Sequence, residues 1–252
     1  MKTTNQPLMS HAINQAASMI SGTSQIVAFT GAGISTDSGI PDLAGIDHIL
    51  SDDRQFHGGV FGMLNSQFAS QDPREFYRLY RKTFFHPEAV PNPAHRFLAE
   101  LEQRGQLSGI ATMNIDWLHQ MAGSKTVFEY WGDMRQNHCI GCHRTYDWNL
   151  AKDQLVPHCP ICGSPVIPDF VLKNLATDHR AVHAGQALIA QASLLIIVGT
   201  NRSAGSFPSR IPKIIINEAL TNQFQNHQLI IGGQASQIFN LLGQQLHINQ
   251  RL

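Results

Sequence analysis

Apolar positions along this chain recur in two rhythms. Leu8, Ile13, Ala16, Ala17 and Ile20 fall on one face at helical spacing, and Ser21-Gly22 ends the helix they predict. Ile26–Phe29 is a short apolar run, read as a strand, that passes directly into Thr30-Gly31-Ala32-Gly33. Residues 72–85, carrying Phe76, Leu79, Tyr80 and Phe84 with Pro73 in the first turn, predict a second helix. Residues 93–104 predict a third, stopped by Gly105. Further strands are expected at 110–112, 127–130, 194–198, 213–216 and 229–231, and residues 235–246 close the chain as a helix. Strands alternating with helices imply an α/β protein with a parallel sheet covered on both faces. Residues 132–175 break the rhythm and read as a small module inserted into that domain.

Composition narrows the class. Only 14% of the 252 residues are charged, against about 25% in an ordinary soluble protein. Lys plus Arg and Asp plus Glu are both 18, which argues against a nucleic-acid or polybasic membrane partner. The length corresponds to one or two domains. Residues 1–15 are polar almost throughout, unlike a secretory signal. The longest purely apolar run, Leu194–Val198, is far shorter than the roughly 18 residues of a membrane span. A cytoplasmic location is therefore expected, where four cysteines are thiols or metal ligands rather than disulfides.

Their spacing decides between the two. Cys139-x2-Cys142 and Cys159-x2-Cys162 are separated by sixteen residues, the pattern of a ribbon in which two knuckles present four sulfurs to one zinc ion. Four thiolates saturate a tetrahedral ion, so the expected metal is structural. The adjoining His138, His143 and His158 are not needed as ligands.

Two further segments suggest ligand chemistry. Thr30-Gly-Ala-Gly-Ile-Ser35 follows the first strand and leads toward a helix, where glycines let a backbone approach a pyrophosphate. No Gly-Lys-Ser/Thr follows, and the next glycine is Gly39, so taken alone the loop reads equally well as a plain tight turn. Thr112-Met-Asn114-Ile115-Asp116 follows the strand expected at 110–112, at the edge where doubly wound folds bind ligands. Asn114 and Asp116 could hold a carboxamide and a ribose, or form an Asx turn capping a helix over 117–122.

Together these segments resemble the sirtuins over residues 26 to about 221. Thr30–Ser35 and Gly39-Ile-Pro41-Asp42 are similar to the family's cofactor loop, and Asn92-Pro-Ala-His95 and Ala99-Glu-Leu101 to the helix after it. Asn114-Ile115-Asp116, Leu118-His119 and Ala122-Gly123 resemble the nicotinamide-binding segment. Gly199-Thr200 and Ile216-Asn217 to Thr221 look like the segments around the phosphates and adenosine ribose, and the cysteine module has the family's position. The resemblance implies a Rossmann-type domain over 1–131 and 176–252, a zinc-binding module over 132–175 joined by part of 45–90, and NAD in the cleft. It places Gly31, Ala32, Gly33 and Ser35 toward the pyrophosphate, Pro41 and Asp42 in the cofactor loop, and Asn114, Ile115 and Asp116 at the nicotinamide and its ribose. Gly199 and Thr200 fall near a phosphate, and Asn217 near the adenosine ribose. The implied partner is a protein substrate, an acyl-lysine or ADP-ribose acceptor.

Departures from the family gather at catalytic positions. Glu129-Tyr130-Trp131-Gly132 stands where sirtuins have Glu-Leu-His-Gly, so Trp131 takes the place of the general-base histidine. Indole offers only an N–H donor and cannot accept the ribose-hydroxyl proton that deacylation requires. Met113 replaces a glutamine, Leu43-Ala44 a Phe-Arg pair, Lys173-Asn174-Leu175 the Phe-Gly-Glu of the acyl-lysine channel, and Asn201 a serine. Three readings follow: a weakened deacylase with Asp116, His119 or Asp133 as substitute base, an ADP-ribosyltransferase or NAD glycohydrolase, and a non-catalytic NAD or ADP-ribose binder. Phe76, Tyr80 and Phe84 are expected to be core, Trp117 to be buried, 57–59 to be a flexible loop, and most histidines to lie at the surface.

Overall fold

The computed structural model describes residues 6–225 and 227–248. Among these described residues ten strands form: β1 (Ile26–Thr30), β2 (Leu107–Thr112), β3 (Val127–Glu129), β4 (Asn137–Cys139), β5 (Thr145–Tyr146), β6 (Val166–Pro168), β7 (Leu194–Val198), β8 (Lys213–Asn217), β9 (Gln223–Gln225) and β10 (Gln228–Gly232). Seven make one sheet in the order β3-β2-β1-β7-β8-β10-β9. Its pairs are parallel except that of β10 with β9. Strand order therefore reverses between β1 and β7, the switch point at which Rossmann-type sheets open a crevice.

The apolar runs are uninterrupted because both faces of the sheet are buried. Ile26 and Ala28 of β1, with Leu194, Ile196 and Val198 of β7, face the helices Gln6–Ser21, Pro93–Gln103 and Ala235–Gln245. The alternating residues Val27, Phe29, Leu195 and Ile197 belong to a second core with Ile189 of the helix His179–Ala190, Tyr130, Phe207 and Ile211. Each such Val, Leu, Ile or Phe side chain contributes about 1.5–3 kcal/mol on burial.

Residues 132–175 are more regular than their sequence suggests. β5, β4 and β6 make a small antiparallel sheet that periodicity missed, because its strands are only two or three residues long. A separate core joins this module to residues 46–85: Ile46, Met63, Phe76, Tyr77 and Tyr80 pack with Trp148, Ile167 and Phe170. Tyr77 donates its hydroxyl to the Val166 carbonyl at 2.6 Å, and Arg81 reaches the carbonyls of Ala151 and Gln154. The expected core residues Phe76 and Tyr80 are buried, and Phe84 packs against them. His57 and Gly58 lie in a loop as expected, and a short helix begins at Gly59. No described helix is long and apolar enough to cross a membrane.

Candidate active site

The glycine loop does not lead directly into an α-helix. It turns through two 3-10 segments, Ala32–Ile34 and Thr36–Ser38, and the α-helix starts only at Leu43. Gly39, in the left-handed region at φ 86°, ends the second turn, and Asp42 caps the helix by accepting the Gly45 N–H at 2.9 Å. The loop is held by its neighbours instead. Gly31 N–H donates to the Val198 carbonyl at 3.0 Å, and Gly33 N–H to that of Gly199 at 2.8 Å. Asn92, the cap of helix Pro93–Gln103, donates from Nδ2 to the Ile34 carbonyl at 2.7 Å and to Ser38 Oγ at 3.0 Å.

Beside this loop, after β2, lies the polar triplet. Ser35 Oγ donates to Asp116 Oδ2 at 2.6 Å, and Asn114 Nδ2 approaches both atoms at 3.1 Å. Asp116 Oδ1 simultaneously accepts the Leu118 N–H at 3.0 Å, capping the helical turn Leu118–Met121. One carboxylate thus makes both the turn into that helix and the polar cluster. Burial raises the Asp116 carboxyl above its ordinary range, while hydrogen bonds from Ser35, Leu118 and Asn114 pull it back. Asn217 is fixed by donating to the Thr200 carbonyl at 3.0 Å and accepting the Ala219 N–H.

These residues line one cavity of about 340 Å³. Gly31, Ala32, Gly33, Ser35, Pro41, Asp42, Asn114, Ile115, Asp116, Trp131, Gly199, Thr200 and Asn217 all border it. Sequence reasoning missed much of the remaining wall. Ile40, Ile46, Val60, Phe61, Leu64 and Phe84 supply apolar surface, and Leu175, at φ 56°, closes it where the chain departs from the family pattern. Arg202 and Glu218 add charge; their nearness to Gly199-Thr200 and Asn217 in the chain was the available signal. Trp131 packs against both the small-module core and the second sheet core while bordering the cavity.

Two of the three suggested substitute bases lie elsewhere. His119 is 1% exposed, and its Nε2 sits 2.9 Å from Oγ1 of Thr30, the last residue of β1. Burial lowers its pKa to about 3. His95 lies edge-on to it with ring centroids 4.9 Å apart, so these two histidines are core rather than surface residues. Asp133 is outside the cavity lining, its Oδ1 accepting the N–H groups of Arg135 and Gln136. Glu129, whose pKa burial pushes up to about 8 with help from the Asp133 carboxylate, is also outside it. Asp116 alone of the three borders the cavity. Trp117 is neither core nor cavity wall: at φ 66° it turns its indole under the Arg135 guanidinium, 4.6 Å away.

The four cysteine sulfurs lie within 4.8 Å of one another. Zinc–sulfur bonds of about 2.3 Å place tetrahedral sulfurs about 3.8 Å apart. The pairs Cys139–Cys162 and Cys142–Cys159, at 3.4 and 3.6 Å, fit such an ion. The Gly141 and Cys142 amides point at Cys139 Sγ, each at 3.4 Å, as donors to a thiolate. All four positions are protein sulfurs, consistent with a structural zinc ribbon.

Strand order, crevice and ribbon define a Rossmann-type α/β protein carrying a four-cysteine module. Residues 31–205 match the Sir2 family model. The NAD-dependent protein deacetylase of Clostridium perfringens (strain 13 / Type A) is 38% identical over 194 residues, 77% of this chain and 80% of that protein. That of Clostridium tetani (strain Massachusetts / E88) is 31% identical over 90% of this chain and 96% of its own. A solved structure of Sir2 with a p53 peptide and NAD+ is 29% identical with a TM-score of 0.73, covering 94% of this chain and 99% of that one. Another, of Sir2 bound to acetylated peptide, is 28% identical with the same TM-score and coverage. The chain belongs to the Sir2 family, the sirtuins, whose relatives are named NAD-dependent protein deacetylases.

Proposed function

We propose that this sirtuin binds NAD in the cavity and acts as a protein-lysine deacylase whose base-dependent step is impaired. A diphosphate can approach the loop backbone because glycines leave the room: a Cβ on Gly31 would lie 2.8 Å from Thr200 Cβ. In this reading Gly31 to Ser35, Pro41 and Asp42 cradle the pyrophosphate side, with Gly199 and Thr200 opposite. Asn217 faces the adenosine ribose, and Asn114, Ile115 and Asp116 orient the nicotinamide end. NAD supplies a ribose C1′ made electrophilic by its nicotinamide leaving group. Asp116, held by three donors, positions that end and balances positive charge there. The zinc ribbon, over 132–175 together with part of 45–90, forms the second wall of the cleft.

The observation that carries the impaired step is Trp131, an indole with no acceptor nitrogen at the junction of two cores. Nicotinamide release precedes the base-dependent step and needs no such acceptor. An ADP-ribosyltransferase or NAD glycohydrolase is the second reading that the same observation supports. Purified protein with NAD and an acetyl-lysine peptide, with nicotinamide, peptide mass and protein mass followed together, separates them. Slow loss of the acetyl group matched by nicotinamide supports deacylation. Nicotinamide release with the peptide unchanged supports the second reading, and NAD binding without release leaves a binding module.

A further inference from the structure

The cavity's charges are unbalanced. Three carboxylates, Asp42, Asp116 and Glu218, border it, and among its described lining residues the one cation is Arg202. Leu43 and Ala44 in the same wall carry no charge. A diphosphate entering this space would meet this excess of like charge, which a guanidinium in the same lining offsets.

Arg202 is placed for that work. It follows β7 directly after Gly199-Thr200-Asn201, and its own N–H donates to Thr200 Oγ1 at 3.1 Å. Its guanidinium lies over the Phe29 ring at 5.4 Å and the Phe207 ring at 5.8 Å, and those rings meet edge to face at 4.9 Å. Phe29 is 1% exposed and belongs to β1, two residues before the glycine loop. The stacking therefore anchors the planar head between the ends of the two strands that flank the switch point. Among the described residues no carboxylate or carbonyl accepts from the guanidinium, so its donor fork is free to bind.

We propose that Arg202 is the diphosphate-binding cation of this cavity, its fork donating to two phosphate oxygens of the dinucleotide while Phe29 and Phe207 hold the plane of the head. The proposal rests on the reading that the cavity takes NAD. It assigns the backbone amides of the glycine loop one side of the diphosphate and Arg202 the other.

Calorimetric titration of NAD and of ADP-ribose into wild type, Arg202→Gln and Arg202→Lys tests it. Arg202→Gln should weaken both ligands about tenfold to a hundredfold, the effect of losing a charge-assisted pair. Arg202→Lys should lose less, affinity in Arg202→Gln should fall less steeply with salt, and the unliganded melting temperature should hold. ADP-ribose affinity in Arg202→Gln within about twofold of wild type overturns the proposal. So does a loss seen only in the KM for the peptide, which would turn the guanidinium toward a substrate carboxylate, or a loss that merely tracks a lowered melting temperature. Wild type that binds neither NAD nor ADP-ribose overturns the NAD reading itself, and this assignment with it.

Discussion

Replacing Gly199 by alanine tests whether the loops after β1 and β7 touch as closely as described. An added Cβ would lie 2.2 Å from the Ile34 nitrogen and 2.4 Å from the Gly33 carbonyl carbon, both backbone atoms that cannot rotate away. The residue also sits at φ 62°, where an L side chain costs roughly 1–2 kcal/mol. Two other glycines separate these costs. Gly39, at φ 86° with nothing within 4 Å of its Cβ position, carries the conformational cost alone. Gly33 carries the contact alone, its Cβ position 2.9 Å from Gly199 Cα. Overpacking against backbone costs about 1–3 kcal/mol. Gly39→Ala should therefore lose about 1–2 kcal/mol, Gly33→Ala about 1–3, and Gly199→Ala about 2–5, near the sum. Urea unfolding of the three variants measures the losses, and NAD titration should find affinity reduced in the Gly33 and Gly199 variants only. Equal stability of Gly199→Ala and Gly39→Ala, with unchanged NAD affinity, would refute the close approach.

Three other outcomes follow from the structure. Burial holds His119 at about 3 and His95 well below its usual range, whereas both protonate near 6.5 when unfolded. The unfolded chain binds more protons, so stability should fall as pH drops below about 6.5, by up to about 1.4 kcal/mol per pH unit for each histidine. Urea midpoints between pH 7 and 5 should show His119→Gln losing about half of that slope, and an unaltered slope counts against the buried neutral pair. Chelation should melt the small sheet around Cys139 and Cys159 and expose four titratable thiols, since structural zinc contributes on the order of 10 kcal/mol at such sites. Identical melting curves with and without chelator contradict this. Trp131→His should raise deacylation at constant nicotinamide release, while costing about 1–3 kcal/mol of packing between the two cores. If acetyl removal does not rise, the histidine was not the sole defect.

The sheet was legible wherever burial on both faces wrote itself as a continuous apolar run. Residues 194–198 are the strand β7 as expected, while β2 begins three residues earlier than its apolar stretch because the exposed Ser108 and the buried but side-chain-less Gly109 interrupt it. The short helices over 43–71 were not legible. They contain Gly45, Gly59 and Gly62, poor helix formers, and their stability comes from Ile46 and Met63 packing on Tyr77 and Tyr80 some distance along the chain. The same physics divides the cavity. Its polar side is built from contiguous backbone motifs and could be read directly, whereas its apolar side is assembled from residues 40–64, 84 and 175, whose meeting is a tertiary event. Most histidines lie at the surface as expected; His95 and His119 are the exceptions, buried through tertiary packing beside the helix that Asn92 caps, which no local pattern announces.

That cap has a thermodynamic consequence for the loop it grips. Asn92 binds the carbonyl of Ile34 and the hydroxyl of Ser38, so the glycine loop acquires its shape when helix Pro93–Gln103 docks, during folding. Ordering entropy on this side of the cavity is spent before any ligand arrives. The opposite wall, where Leu43 is 50% and Phe61 78% exposed, keeps apolar surface in water until something covers it. Heat-capacity change on ligand binding should accordingly report that wall and leave the phosphate loop silent.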